Sequence, residues 1–242
     1  MKKTLIIIPS RLDSKRFPKK VLANIDGKPL IQRVYEQAQQ SVKTDVYAAV
    51  CCDQLKTIIE NFGGKAIVTD PHLPSGTHRV HQASKSVPLD VDYIINIQGD
   101  MAFFPLDALD KILSCFDYMD IDIATAVCPI DNDRDIQSSN IVKAVFDPLF
   151  SKPFFGRILY FSRQTVPFIK DPKGFEGFYS HVGIYIYKKH ALETFMKNPV
   201  SKIALQEDLE QLTALSLGLK FGGCVLDQQP ICIDVESDLD KL

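Results

Sequence analysis

Between Ser10 and Lys20 the chain places Arg11, Lys15, Arg16, Lys19 and Lys20 directly after the apolar run Leu5 to Ile8. Such a cluster can hold a polyphosphate through charge-assisted hydrogen bonds, Arg as a two-pronged contact and Lys as a point charge. A solvated basic surface loop has the same composition. Two carboxylates stand at the ends of other apolar runs. Asp100 closes Asn96-Ile97-Gln98-Gly99-Asp100, where it can ligate a hard cation such as Mg²⁺ or simply cap a turn. Asp234 lies in Ile231-Cys232-Ile233-Asp234-Val235, which reads as an apolar strand. An unpaired charge there costs several kcal/mol, so Asp234 needs a metal shared with Asp100 or a Lys or Arg partner. Ser237 is the expected cap of the short acidic helix behind it.

Weaker signals accompany these. Pro74-Ser75-Gly76-Thr77 opens a helix and offers hydroxyls and backbone N–H groups to a base or phosphate, though N-capping accounts for it equally. His72, His78 and His81 lie close together, but no Cys or acidic residue completes a zinc spacing. His181 precedes a strand beside Gly183 and Tyr185, which fits a functional histidine or an ordinary strand start. The patterns G-x-x-x-x-G-K-[ST] and G-x-G-x-x-G are absent, and so is a nucleophile elbow. P-loop, nicotinamide and covalent chemistries therefore lack support.

The elements that must position these residues alternate. Strands are expected at Thr4 to Ile8, Val46 to Cys52, Lys65 to Val68, Tyr93 to Ile97 and Ile121 to Val127. Helices are expected at Pro29 to Gln40, Gln54 to Phe62, Gly76 to Ser86 and Leu106 to Phe116. This order predicts an α/β fold with a mostly parallel, Rossmann-like sheet, which binds ligands beyond the carboxyl ends of its strands. That location favours the phosphate reading of the basic loop. Further on, Val142 to Phe146, Ile158 to Phe161 and Val182 to Tyr187 are strands without intervening helices, which predicts a smaller antiparallel lobe. Phe168 to Gly177 reads as a loop, Lys189 to Met196 and Leu205 to Leu217 as helices, and Phe221 to Leu226 and Ile231 to Val235 as strands. The expected organisation is a single domain over residues 1–242, with the lobe within 130–190.

Composition narrows the class. A net charge of −2 over 242 residues supplies no global field for a nucleic-acid backbone. No apolar run approaches the length of a membrane span, and the opening run is too short for a signal peptide, so a cytoplasmic protein is expected. The 6 cysteines form no C-x-x-C pair and read as reduced thiols.

Ordered blocks along nearly the whole chain resemble one family. They are I-I-I-P-S-R-L-D-S-K-R-F-P-K-K-V-L, G-K-P-L-I-Q-R-V-Y-E, S-G-T-H-R, N-I-Q-G-D, I-L-Y-F-S-R, H-V-G-I-Y, L-E-Q-L and I-D-V-E-S-D-L. They are similar to those of the sugar-acid cytidylyltransferases, and Y-F-S-R and L-E-Q-L favour the branch acting on 3-deoxy-manno-octulosonate (Kdo) over sialic-acid relatives. The resemblance implies transfer of CMP from CTP to the anomeric hydroxyl of Kdo, with Mg²⁺ as cofactor, in a homodimer that serves lipopolysaccharide biosynthesis. It implies that Arg11, Arg16 and Lys20 hold the triphosphate. Pro9, Ser10, Ser75 and Gly76 would receive the nucleotide, and Gln98 would lie between nucleotide and sugar. Asp100 and Asp234 would bind Mg²⁺, while Arg163, His181, Tyr185, Glu210 and Gln211 would line the sugar side. Departures from the family pattern are His78 in place of Asp, Met101-Ala102 in place of Glu-Pro, Thr213 in place of Arg, and Leu73-Pro74 where His and Gln are common. They keep two alternatives open: a related sugar acid, of the 8-amino-Kdo or sialic-acid type, or a non-catalytic nucleotide-sugar-binding protein.

Overall fold

The computed structural model describes residues 2–14, 16–171, 173 and 177–241. Lys15 and part of the Phe168 to Gly177 loop lie outside the described residues. The chain forms two compact units, Met1–Asp110 with Pro230–Leu242, and Lys111–Gln229.

In the first unit the expected alternation is present. β1 (Thr4–Ser10) is followed by a short hairpin, β2 (Asn24–Ile25) and β3 (Lys28–Pro29), and by α1 (Leu30–Ser41). Then come β4 (Asp45–Val50), α2 (Asp53–Asn61), β5 (Ala66–Val68), α3 (Gly76–Ser86), β6 (Tyr93–Ile97) and β7 (Met101–Phe103). β1 is a strand because Leu5 to Ile8 are apolar, largely β-branched and at most 1% exposed, each contributing about 1.5–3 kcal/mol on burial. α1 begins at Pro29, whose ring suits a helix start, and buries Leu30, Ile31, Val34, Tyr35 and Ala38 along one face. α2 stops at Gly63, which takes φ 84°.

The strands β5, β4, β1 and β6 lie side by side in that order, all parallel. The chain moves outward from β1 to β4 and β5, then crosses to the other side of β1 for β6. The strand order therefore reverses beside β1, and a ligand crevice opens at the carboxyl ends of β1 and β6. The basic loop leaves β1 there and Gln98-Gly99-Asp100 leaves β6 there.

α4 (Ala108–Tyr118) carries the chain into the second unit. That unit contains β8 (Ile123–Ile130), α5 (Asp133–Gln137), β9 (Lys143–Leu149), β10 (Lys152–Ser162), β11 (Phe178–Lys188), α6 (Lys189–Lys197), α7 (Lys202–Glu207), α8 (Gln211–Ser216) and β12 (Phe221–Val225). Its strands run in the order β11, β8, β12, β10, β9. Among the described pairings within this unit, β8 and β12 are parallel, and β9, β10 and β11 pair antiparallel. The stretch expected as an antiparallel lobe is thus mostly antiparallel ladder, and it shares a sheet with the parallel pair. The chain then returns to the first unit as β13 (Ile231–Cys232), which pairs antiparallel with β7, and ends in a 3-10 helix, Glu236–Lys241.

Two expected elements differ. The helix expected over Leu205 to Leu217 is two helices, broken where Asp208 adopts φ 52°. The strand expected over Ile231 to Val235 ends at Cys232, so Asp234 sits beyond it with its side chain 44% exposed. Ser237 lies inside that helix rather than at its cap, and Asp238 Oδ2 reaches back to accept from the N–H groups of Asp234 at 2.7 Å and Val235 at 2.9 Å.

Candidate active site

At the carboxyl ends of β1 and β6 the backbones approach closely. A Cβ on Gly99 would lie 2.7 Å from the Pro9 carbonyl oxygen and 2.9 Å from Ser10 Oγ, so this position admits only glycine without a backbone shift. A Cβ on Gly76 would lie 3.2 Å from Pro9 Cγ and 3.3 Å from Gln98 Oε1. Pro9, Ser10, Gly76 and Gln98, separate in sequence, therefore share one floor. Ser10 Oγ is buried without a hydrogen-bond partner among the described residues, a state that disfavours an apolar void and suits a polar ligand. Ser75 caps α3, its Oγ 3.4 Å from the His78 backbone N–H and 2.9 Å from His78 Nδ1. The histidine that replaces the family's aspartate thus ties back onto the cap.

The charged centre lies at the same end. The loop after β1 turns at Lys19, which adopts φ 58°, and delivers Lys20 into a 3-10 turn. Lys20 Nζ donates to Asp100 Oδ2 at 2.6 Å and to Asp234 Oδ1 at 3.2 Å. Arg16 Nη2 donates to the same Asp234 oxygen at 2.9 Å. Burial pulls the Lys20 ammonium towards lower pKa, but Asp100 and then Asp234 outweigh it, and the group ends above its ordinary value. The Lys20 side chain is 15% exposed, whereas Arg16 is 66% exposed. An exposed pair such as Arg16–Asp234 contributes about 0–1 kcal/mol, so Arg16 can leave it for a phosphate at little cost. The carboxylates are brought together by backbone: the Ile233 N–H donates to the Asp100 carbonyl at 2.9 Å, and β7 pairs with β13. Met101 and Ala102, the residues that depart from Glu-Pro, are buried in that pairing strand.

Sequence reasoning passed over Gly99 and Arg79. Arg79 is 2% exposed and grips the loop after β5, donating to Thr69 Oγ1 and to the Asp70 carbonyl. Burial, and after it the like charge of Arg11, lowers its pKa. Arg11 itself is exposed. The signal for Gly99 was its place between a polar residue and a carboxylate at a strand end. Arg79 closes the block S-G-T-H-R, but its burial gave no signal, because an arginine on a helix reads as surface.

Two carboxylates on one ammonium provide hard oxygen donors of the kind Mg²⁺ takes when phosphate oxygens and water complete its shell. The residues fit that ion. Among the described residues no group of three or more His, Cys, Asp or Glu side chains converges.

The second unit holds the residues expected on the sugar side. On β11, His181 Nε2 lies 3.1 Å from Thr125 Oγ1, and its ring lies 5.3 Å from Tyr185 and 4.8 Å from Phe161. Burial pushes His181 down to about 3, so the imidazole is neutral. Burial, and secondarily the charge of Glu210, holds the Tyr185 phenol well above its usual range. Gln211 is buried at the start of α8 and Glu210 directly precedes it. Arg163 is committed to the protein. Its Nε donates to the Glu207 carbonyl at 2.6 Å, Nη1 to Ser139 at 3.0 Å and Nη2 to Asp208 at 3.2 Å. Its backbone N–H reaches Glu207 Oε2, and its carbonyl accepts from the fully buried Lys143 Nζ. Arg163 thus braces the turn that leads to Glu210. Thr213, which departs from Arg, accepts from the Ser201 N–H at 3.0 Å at the start of α7.

The sequence from residue 5 to 221 matches the family model for cytidylyltransferases. A 3-deoxy-manno-octulosonate cytidylyltransferase of Rickettsia felis is 38% identical over 238 residues, covering 98% of this chain and 92% of the relative. The enzyme of that name from Chloroherpeton thalassium is 38% identical over 244 residues, covering 99% and 96%. Among solved structures, a CMP:2-keto-3-deoxy-manno-octonic acid synthetase complexed with CTP matches with a TM-score of 0.89 at 30% identity, over 99% of this chain and 96% of that one. A Leptospira borgpetersenii cytidylyltransferase, 15% identical with a TM-score of 0.61 over 98% and 84%, shares the fold.

Proposed function

The chain belongs to the cytidylyltransferase family, in its 3-deoxy-manno-octulosonate branch, and on that premise we propose that it transfers CMP from CTP to the anomeric hydroxyl of Kdo, releasing pyrophosphate. The product, CMP-Kdo, serves lipopolysaccharide biosynthesis. One observation carries the site reading: Lys20, Asp100 and Asp234 converge beside a glycine-floored crevice at the carboxyl ends of β1 and β6.

Such a transfer needs positioning and charge neutralisation rather than a covalent intermediate. Arg11, Arg16 and Lys20 bind the triphosphate. Arg16 exchanges its exposed contact with Asp234 for phosphate, and Lys20 remains an ammonium throughout. Pro9, Ser10, Ser75 and Gly76 receive the nucleoside and α-phosphate, with the free Ser10 hydroxyl and the N-terminus of α3 as donors. Asp100 and Asp234 would hold Mg²⁺, which when bound would supply charge neutralisation at the α-phosphate and lower the pKa of the attacking hydroxyl. Gln98 stands between nucleotide and sugar. Neutral His181, protonated Tyr185, Glu210 and Gln211 orient the sugar acid. Arg163 acts on it through the turn at Asp208.

The enzyme is proposed to work as a cytoplasmic homodimer. The exposed Phe150, Phe154 and Leu159 of the β9–β10 hairpin support a self-association face. All 6 cysteines are free, which fits a reducing compartment, and none of the described helices is long and apolar enough to cross a membrane.

The test is pyrophosphate release from CTP and Mg²⁺ with and without Kdo. Release dependent on Kdo is expected. Release only with 8-amino-Kdo or a sialic acid would move the substrate and keep the mechanism. No release with any sugar acid would overturn the enzymatic reading.

A further inference from the structure

Cys51 and Cys52 follow β4 at the same sheet edge as the basic loop, outside the Lys20–Asp100–Asp234 centre. Their sulfurs lie 3.8 Å apart, and both residues are partly exposed. The backbone of Leu12, inside the basic loop, lies close enough to the Cys51 sulfur to act on it, and so does the charge of Arg79. Cys52 stands at the N-cap of α2, yet its side chain makes no capping hydrogen bond, so its sulfur is not committed to the helix. The other cysteines differ: Cys115, Cys128 and Cys224 are buried, and Cys232 is exposed by itself.

The chemistry open to this pair is selective. Burial is the main influence on Cys51 and keeps its thiol protonated, which disfavours attack on a peroxide. A disulfide between adjacent residues would have to form across Cα atoms about 3.8 Å apart, short of the usual range of about 4.4–6.8 Å. A trivalent arsenical asks for neither a thiolate nor a direct S–S bond. The arsenoxide R–As=O condenses with two neutral thiols, forming two As–S bonds. Its oxygen leaves as water with both thiol protons, and arsenic remains trivalent.

We propose that Cys51 and Cys52 form a two-sulfur binding site for trivalent arsenicals, and that its occupation pulls on the Leu12 segment and weakens triphosphate binding. The second clause rests on the CTP reading given above; the first does not.

Phenylarsine oxide is the probe, applied to the full chain. The intact mass is expected to rise by one phenylarsenic group per chain, with two thiols lost from the native titration. Cys51→Ser and Cys52→Ser each abolish the adduct, and Cys232→Ser keeps it. Absence of an adduct, or its persistence in both Cys51→Ser and Cys52→Ser, overturns the site. CTP affinity of the adduct is then measured by calorimetry. A fall of about tenfold, within the usual range for coupled sites and reversed by 2,3-dimercaptopropanol, is expected. An adduct with unchanged CTP affinity overturns the coupling to the loop. Untreated protein that binds no CTP would overturn the function proposed above, while the mass measurement still decides the arsenical site.

Discussion

The backbone N–H of Ile233 donates to the carbonyl of Asp100 at 2.9 Å, so the two loops that carry the carboxylates are tied by main chain and not only by the ion pairs on Lys20. Removing either charge therefore leaves the loops in place.

Asp100→Asn is expected to lower turnover about 100-fold or more, the scale for losing one preorganised electrostatic contact. Steady-state pyrophosphate release measures it, with circular dichroism to confirm the fold. Full activity in the folded variant would remove Asp100 from the site.

Asp238 has a separate role. Its Oδ2 accepts two backbone N–H groups, those of Asp234 and Val235, and the residue is 7% exposed. Asp238→Ala strands both donors and should cost about 1–3 kcal/mol in chemical denaturation. It should also reduce turnover, since Asp234 loses its anchor.

Gly99→Ala pushes a methyl group against the Pro9 carbonyl at 2.7 Å. Overpacking of this kind costs about 1–3 kcal/mol. The floor of the crevice must shift, and on the proposed function KM for CTP is expected to rise more than kcat falls.

His181 makes stability depend on pH. Folded, it titrates at about 3, and unfolded near its ordinary 6.5. Below 6.5 the unfolded state binds the extra proton, so stability falls as pH drops from 6.5 towards 3. Denaturation midpoints between those values should show this slope, and His181→Asn should flatten it.

Lys143 Nζ donates to the carbonyls of Ser138 and Ile141 at 2.7 Å and of Arg163 at 2.8 Å, with no exposure of the residue. Lys143→Met leaves three carbonyls short of a donor, a loss of about 3 kcal/mol or more. A melting temperature equal to that of the unchanged protein would contradict this role.

The parallel half of the fold was legible because its signals are local. The apolar run at Leu5, the proline at position 29 and the Ser75 cap each mark an element by themselves. The break at Asp208 was not, because the apolar period runs through both α7 and α8, while the carbonyls at the break are held by Arg163, far back in the chain. The end of β13 at Cys232 was hidden for a similar reason: the apolar run continues to Val235, but Asp238 takes the next two N–H groups. In the site, the types and positions of Lys20, Asp100 and Asp234 were readable, whereas their mutual pairing spans 80 and 214 residues. The burial of Arg79 and Lys143 was invisible, since a charged residue's default place is the surface and only the folded carbonyls around it say otherwise.

The return of the chain from the second unit to β13 has a consequence for biosynthesis. Lys20 and Asp100 are synthesised before any of the second unit, and Asp234 only after all of it. A chain synthesised only that far therefore carries half of the carboxylate pair. The Lys20–Asp100–Asp234 cluster is completed last, after every strand of the nine-stranded sheet has been synthesised.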